Sequence, residues 1–238
     1  MSGSSLSSSS SSERRSFFTR LSAGVASLGA IAIGSGIARA QQKSTAAARW
    51  EPARHEKDDW FDQLPGKHRL VFDTTAFDHL GEAILFANNF IRVNRADYGL
   101  QNSDLAVVIV VRHRSTPFGY NDAMWAKYGT AIAARAVVED PKTKQAPKIN
   151  IFNSPDYADL LPGRGTTLDS LFKQGLQLAV CATSTRGYAT SIAQAVGGNA
   201  DTIFNELTSN LVSNSRMVPA GIVAVNRAQE RGYSLVST

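Results

Sequence analysis

The chain of 238 residues has a single cysteine, Cys181, and only four histidines. One cysteine cannot form an internal disulfide, and the absence of C-x-x-C and C-x-x-C-H motifs excludes a thioredoxin-like dithiol and a c-type haem site. The histidines His55, His68, His79 and His113 lack H-x-x-x-H or H-E-x-x-H spacing. The sequence therefore predicts no metal site within one chain, and a site shared between subunits stays open.

Nucleotide-binding signatures are also missing. No G-x-G-x-x-G follows a predicted strand, so a nicotinamide cofactor is unsupported. The segment 163–167, Gly-Arg-Gly-Thr-Thr, lacks the Gly-Lys-Ser/Thr of a phosphate-binding loop. No feature of the sequence indicates a flavin. We therefore predict that the protein uses no cofactor.

A strong surplus of basic charge is absent once the N-terminus is set aside. The whole chain has a net charge of +5, but residues 1–40 contain four arginines and one glutamate and so contribute +3. The remainder has 21 basic and 19 acidic residues, a net charge of +2. Without a basic run that contains interleaved aromatics, this composition predicts no nucleic-acid binding.

The first 40 residues indicate an export signal. A serine tract at 4–12 is followed by Arg14 and Arg15, by a glycine-rich apolar stretch at 21–37, and by an Ala-Arg-Ala cleavage pattern at 38–40. The order resembles a twin-arginine signal and predicts transfer by the twin-arginine export machinery to the periplasm, with cleavage after residue 40. The alternative is an uncleaved membrane anchor, for which 17 residues with four glycines form a weak spanning helix.

The rest of the chain divides into a linker or N-terminal arm at 41–66, with Trp60 and Phe61 as docking points, and a single domain at 67–238. Apolar runs predict strands at 67–74, 105–111, 176–181 and 233–236, with extended pieces at 149–152 and 217–219. Helical spacing predicts helices at 78–98, 121–137, 167–173, 188–196, 201–213 and 221–231, with Asp78 able to cap the first and Gly99 ending it. The alternation predicts a three-layer α/β domain, with a mostly parallel sheet of about five strands and helices on both faces.

Cys181 is the strongest chemical lead. The strand at 176–181 delivers its thiol to the carboxyl edge of the sheet, where open α/β proteins place their ligands. The following helix directs its positive end at the thiol, and Arg186 adds a full charge, so that both favour the reactive thiolate. The alternative is a buried structural thiol, because free cysteine is commonly buried.

The spacing from Cys181 to Arg186 predicts a six-residue anion-binding loop, about the size used by rhodanese-type sulfurtransferases and one residue shorter than the C-x5-R phosphatase loop. Its amides would cradle an anionic sulfur group. The candidate binding residues of this loop are Thr183, Ser184, Thr185 and Gly187.

A second group of candidates follows the strand at 105–111. Arg112 and His113 should reach the same edge as Cys181, where His113 could act as proton donor or charge partner to a thiolate. His113 could equally be a histidine held by hydrogen bonds at a strand end. Asn121 and Asp122 begin the next helix and are candidates either for binding or for capping that helix.

Three segments resemble the DsrE/DsrF-like family, which includes sulfur-relay proteins. They are the strand at 105–111 that runs into a histidine loop, the strand at 175–181 that ends in Cys181, and the ending at 218–233 with Gln-x-x-Gly-Tyr. The likeness covers residues 67–238. It implies a compact three-layer fold, homo-oligomers that are often trimers or hexamers, a sulfur donor or acceptor protein as partner, and Cys181 as the acceptor of sulfane sulfur as a persulfide.

Two function hypotheses result. In the first, an exported sulfur carrier or sulfurtransferase-type protein works through Cys181, assisted by Arg186 and His113. In the second, the protein is a non-catalytic oligomeric subunit that binds a small ligand or a partner, Cys181 is structural, and the arm at 50–61 makes the docking contact.

Overall fold

The computed structural model describes residues 51–238. The predicted export signal at 1–40 and the first part of the predicted linker lie outside these residues. Within 51–238, no helix combines the length and the apolar character that a membrane crossing requires.

Five parallel strands form the central sheet: β1 (His68–Thr74), β2 (Leu105–Val111), β3 (Gln177–Cys181), β4 (Ser215–Val218) and β5 (Ser234–Ser237). Their order is β4-β3-β2-β1-β5, and every neighbouring pair is parallel. All seven residues of β2 are buried, as expected for a central strand that is covered on both faces. The predicted α/β class with five strands is therefore confirmed.

Between residues 51 and 238, seven α-helices surround the sheet: α1 (Trp60–Gln63), α2 (Phe77–Tyr98), α3 (Asp122–Ala136), α4 (Leu168–Phe172), α5 (Ala182–Val196), α6 (Ala200–Ser209) and α7 (Gly221–Gln229). The apolar residues of α2 to α6 pack on one face of the sheet, around Ile109 and Val180. Those of α1 and α7 pack on the opposite face, around Val108 and Ala179. The domain thus has three layers.

The direction of the chain explains which helices cover which face. From β1 to β4, each new strand lies beside the previous one in the same direction across the sheet. Right-handed crossovers therefore leave the connecting helices on one face. Helix α7 returns to β5 beside β1, and so it lies on the other face. The chain therefore leaves the neighbouring strands β3 and β4 toward opposite faces. Cys181 and Val218 are paired at this topological switch point, the place where open α/β sheets bind ligands.

Three local predictions are wrong. No loop separates Cys181 from a helix at 188–196, because α5 begins at Ala182 and Cys181 is its N-cap. Residues 151–153 form a 3-10 helix instead of a strand, since Asn150 fixes this segment by donating to the carbonyls of Phe118 and Tyr120. Asp78 does not cap α2, whose N-cap is Ala76 without a side-chain hydrogen bond, whereas Gly99 ends the helix as predicted.

The N-terminal arm packs on its own domain. Trp60 and Phe61 are buried and stack on each other with 3.7 Å between ring centroids, so both rings pack into the domain. The hydroxyl of Tyr233 donates to the carbonyl of Phe61 at 2.8 Å. Around them, Asp58 and Asp62 lie within 4 Å of arginine side chains that belong to α7 and to the residues just after it. Helix α1 therefore completes the layer that α7 begins.

Candidate functional site

Cys181 lies between the end of β3 and the start of α5. Its Sγ accepts a hydrogen bond from the backbone N–H of Ser184 at 3.3 Å, and the residue is only 6% exposed. The amino end of α5 therefore faces the thiol, as the sequence predicts. Backbone N–H donors at the amino end of a helix are the groups that bind anions in many proteins.

Arg112 is the cationic residue next to Cys181 in the sheet. Val111 of β2 pairs with Val180 of β3, so Arg112 and Cys181 are the next residues along two strands that lie about 4.8 Å apart. Val110 and Ala179, two residues earlier, both point to the face covered by α7. Because side chains alternate along a strand, Arg112 and Cys181 point to that same face.

The Arg112 side chain is held in place by Asp73 at the end of β1. Its Nε and Nη2 donate to the two carboxylate oxygens at 2.7 and 2.8 Å. The hydrogen bond to Asp73 raises the pKa of the guanidinium, burial opposes this, and the negative charges of Asp73 and of a Cys181 thiolate raise it further. Gly221 at the start of α7 lies against the stem, where a Cβ would be 2.6 Å from Cβ of Arg112. The Arg112 guanidinium is thus fixed by Asp73 at the carboxyl edge of the sheet that also carries the thiol.

Arg186 has a different environment from the one predicted. Its Nη1 donates to Asp201 of α6 at 2.6 Å, and its guanidinium carbon lies 3.6 Å from the ring centroid of Phe204. The predicted six-residue loop is wrong, because residues 182–187 are helical. A helical backbone carries Arg186 along α5, where α6 binds its side chain.

His113 lies at the predicted edge, and its backbone contacts the start of α5. Its carbonyl accepts a hydrogen bond from Oγ of Ser184 at 3.0 Å, and its side chain is exposed. Its φ of 56° lies in the left-handed region, which is uncommon for a residue with a side chain. The structure therefore brings together His113, Ser184, Cys181 and Arg112.

The other residues of the predicted loop have separate contacts. Thr183 donates through its backbone N–H and its hydroxyl to the carbonyl of Pro219, at 3.3 and 3.0 Å, and so links the first turn of α5 to the loop after β4. Buried Thr185 donates to the carbonyl of Cys181 at 2.9 Å and accepts from the hydroxyl of Tyr120 at 3.0 Å. Gly187 lies in α5 against Arg135. Only Thr183 and Ser184 of this group lie at the edge around the thiol.

Asn121 and Asp122 have structural contacts at the start of α3. Oδ1 of Asn121 accepts from the backbone N–H of Met124 at 3.4 Å, which confirms the capping role. Oδ1 of Asp122 accepts from the backbone N–H of Asn150 at 2.8 Å. Neither side chain has a hydrogen bond to the residues around Cys181.

Sequence reasoning missed Asp73 and Tyr120. Asp73 had a detectable signal, because an acidic residue near the end of the first strand and a basic residue after the second strand meet at one edge of a parallel sheet. Tyr120 had none, since its contact with Thr185 depends on how the segment before α3 packs. Burial raises the pKa of Tyr120 far above its usual value, so its hydroxyl stays a neutral donor to Thr185.

Among residues 51–238, no group of three or more His, Cys, Asp or Glu side chains could hold a metal ion. The residues around Cys181 offer one sulfur, a guanidinium that is paired with Asp73, and several hydroxyl and amide donors. This set suits an anionic group at the thiol better than it suits a cation.

Comparison with known proteins assigns no family. No family model matches the sequence, and no curated protein is significantly similar to it. A solved structure of a protein of unknown function from Methanobacterium thermoautotrophicum is similar over 72% of this chain and 100% of its own, with 13% identity and a TM-score of 0.35. A similarity this low carries no information about the activity of the chain.

Proposed function

We propose that the protein accepts sulfane sulfur on Cys181 and carries it as a persulfide. The observation that supports this most is the contact between Cys181 Sγ and the backbone N–H of Ser184, at a topological switch point and beside Arg112. A thiolate and a persulfide are both anions, and amide donors with a nearby guanidinium stabilise both.

The transfer is an exchange between two sulfur–sulfur bonds. The Cys181 thiolate attacks the outer sulfur of a donor persulfide, R–S–S–H. The S–S bond of the donor breaks, a new S–S bond forms on Sγ, and the donor leaves as the thiolate R–S⁻. The transferred sulfur keeps its proton, so that no oxidant or reductant is consumed.

The first test is treatment of the native chain with polysulfide, followed by intact mass measurement before and after reduction with dithiothreitol. We expect a gain of one sulfur that dithiothreitol removes, and no gain in Cys181→Ser, which lacks the only thiol. Retention of the full gain in Cys181→Ser would contradict the proposal.

A matched pair of variants tests the backbone donor. Ser184→Ala keeps the N–H that Sγ accepts, whereas Ser184→Pro removes it at a first-turn position, where proline is tolerated. We expect the rate of sulfur uptake to fall by about tenfold in Ser184→Pro, the effect of losing one charge-assisted hydrogen bond. Equal rates in the two variants would show that this amide does not assist the thiolate.

The burial of Cys181 favours a second candidate function, in which the protein is a non-catalytic binding subunit and the thiol is structural. At 6% exposure the sulfur is less open than most reactive thiols. Native alkylation separates the two candidates, since a structural thiol should resist iodoacetamide until the chain unfolds. Slow labelling together with no sulfur adduct would favour the binding subunit.

The proposed site of action is the periplasm, reached through the twin-arginine pathway. The support is the sequence of residues 1–40. Conservative replacement of Arg14 and Arg15 by lysine should retain the protein in the cytoplasm, which cell fractionation measures. Continued export would exclude this route, and a chain of uncleaved mass in the membrane fraction would favour the anchor.

We further propose that the protein is a homo-oligomer, a trimer or a hexamer, as the resemblance to sulfur-relay proteins implies. Several large apolar side chains are exposed on the single chain, including Val137, Val196 and Ile222. Sedimentation equilibrium should give a mass of three or six chains. A monomer at all concentrations would contradict this assembly.

A further inference from the structure

An open apolar groove runs along α3. It consists of two adjoining cavities of about 580 and 400 Å³, which share Ala134 and Ala146 in their linings. Val137, just after α3, lines the larger cavity and is 66% exposed, and Val196, the last residue of α5, lines the smaller one and is 57% exposed. Large apolar side chains that line an open groove are typical of a surface that contacts another molecule.

The rim of this groove is basic. Lys144 lines the larger cavity and Lys148 the smaller one, and both are exposed. Neither forms an ion pair with a carboxylate of residues 51–238. Lys127 also lines the groove, but Glu206 neutralises it at 2.6 Å, and Glu139 adds one acidic group to the lining. The groove therefore presents two lysine charges that its own chain leaves without a partner in the described range.

A 3-10 helix at Pro155–Leu160, here called the acidic turn, has the opposite character. Asp156 and Asp159 are exposed, and neither forms an ion pair within residues 51–238. Because they are three residues apart in a 3-10 helix, their side chains lie on the same side of it. Leu160, the next residue, is 55% exposed. The acidic turn thus presents two carboxylates beside one large apolar side chain.

The groove and the acidic turn are fixed next to each other on one surface. The hydroxyl of Tyr157 in the acidic turn donates to Oδ2 of Asp140 at 2.7 Å, and Nζ of Lys142 lies 4.3 Å from the centroid of the Tyr157 ring. Oδ1 of Asp140 accepts from the backbone N–H groups of Lys142 and Thr143 at 2.8 and 3.1 Å. These bonds hold the turn that leads to Lys144 and the acidic turn in one rigid arrangement.

We propose that the groove receives the acidic turn of a second copy of this chain, around a two-fold axis that passes between the two patches. A half-turn about such an axis places each groove opposite the partner's acidic turn, so that two identical contacts form. The two free lysines then face the two free carboxylates, and Leu160 meets the apolar lining at Val137. The inference rests on the proposed homo-oligomer and selects the hexamer, because two facing trimers are related by two-fold axes and a single trimer has none.

Sedimentation equilibrium of the full chain and of charge-reversed variants tests this contact. We expect the parent to have the mass of six chains. Lys144→Glu combined with Lys148→Glu places like charges opposite each other, and it should weaken the association of two trimers by about a hundredfold and leave the mass of three chains. Asp156→Lys combined with Asp159→Lys should do the same. All four substitutions in one chain pair opposite charges again and should restore the mass of six chains.

Lys57→Glu is the matched control, because this exposed lysine lies just before α1, which packs on the opposite face of the sheet. It should stay hexameric. A parent trimer, or a hexamer that the charge reversals leave intact, would overturn this contact and still agree with the proposed homo-oligomer, whereas a monomeric parent would contradict both. Failure of the four substitutions to restore the hexamer would also overturn the contact. Sulfur uptake on Cys181 has no part in these outcomes.

Discussion

Arg112 and Arg186 show how differently two arginines near one thiol can be held. Arg112 forms a bidentate pair with Asp73, which is 8% exposed, whereas Arg186 pairs with Asp201, whose side chain is 84% exposed. Water screens the second pair and is largely excluded from the first. The Asp73–Arg112 pair therefore both stabilises the fold and keeps a cation at the edge of the sheet.

Asp73→Asn should lower the free energy of unfolding by about 2 kcal/mol, because it leaves the Arg112 guanidinium without its carboxylate in a half-buried place. Urea unfolding measures this value. The control is Asp201→Asn, which removes the exposed pair and should change stability by less than about 0.5 kcal/mol. Equal effects of the two variants would mean that burial does not strengthen the Asp73–Arg112 pair.

His113 adopts a left-handed backbone conformation next to the thiol, at φ 56°. A Cβ atom is strained by about 1 kcal/mol in this region, whereas glycine is not. His113→Gly should therefore be more stable to urea than His113→Ala by about that amount, although alanine is usually the more stabilising residue of the two. The reverse order would show that the backbone at 113 relaxes out of this conformation.

At the scale of elements, the short helix α1 acts as part of the core. Fully buried Phe61 contacts Trp60 by stacking and lies 5.5 Å from the Tyr233 ring in an edge-on arrangement. Because the arm uses these rings to cover its own sheet, they are not free to dock on another subunit. An assembly role for the arm would have to use other residues.

Phe61→Ala should lower the free energy of unfolding by about 3 kcal/mol, since it removes a fully buried ring and leaves a cavity under α1. Phe86 on α2 offers a matched control, because its ring is 44% exposed. Phe86→Ala should change stability by less than about 0.5 kcal/mol. Thermal and urea unfolding measure both stabilities. Equal stability of the two variants would contradict the role of α1 in the core.

At the scale of the whole molecule, buried tyrosines set the response to high pH. Burial is the main cause that raises the pKa of Tyr120 and Tyr188 far above the usual value, and that of Tyr233 from 10.0 to about 12. Each binds its proton more tightly in the folded than in the unfolded chain. Their contribution to stability is therefore complete below pH 10 and is lost as the pH rises through the folded-state values.

We expect the free energy of unfolding to fall between about pH 10 and pH 12, by about 2 kcal/mol for Tyr233 alone. Urea unfolding over this range, with tyrosinate absorbance as a second signal, measures the loss. Tyr233→Phe should show a smaller decrease, because its ring has no proton to lose. A parent chain with constant stability up to pH 12 would contradict the burial of these hydroxyls.

Much of the fold could be predicted from local patterns. Seven consecutive apolar residues predicted β2 with its observed bounds, Gly99 marked the end of α2, and Asn121 marked the start of α3. Cys181 was predicted at the carboxyl edge because it follows an apolar strand in an alternating β/α chain. These features depend on backbone preferences and on burial within a few residues. Both can be inferred from a short stretch of sequence.

The start of α5 was less predictable, since the polar residues from Thr183 to Arg186 lack an apolar stripe and read as a loop. They are helical because Thr183 is bonded to Pro219 and Ser184 to His113. These partners come from distant parts of the chain.

The sequence by itself determined the layers of this protein, the parallel sheet and the edge at which its thiol lies, since right-handed crossovers and apolar runs allow few alternatives. Only the tertiary structure decided which arginine accompanies Cys181. The register of β2 on β3 puts Arg112 next to Cys181 at the end of the sheet, and α6 binds Arg186 elsewhere. The same packing placed Arg135 over the ring of Tyr188. Charged side chains are long and their partners are remote in sequence, so their final contacts depend on the assembled fold.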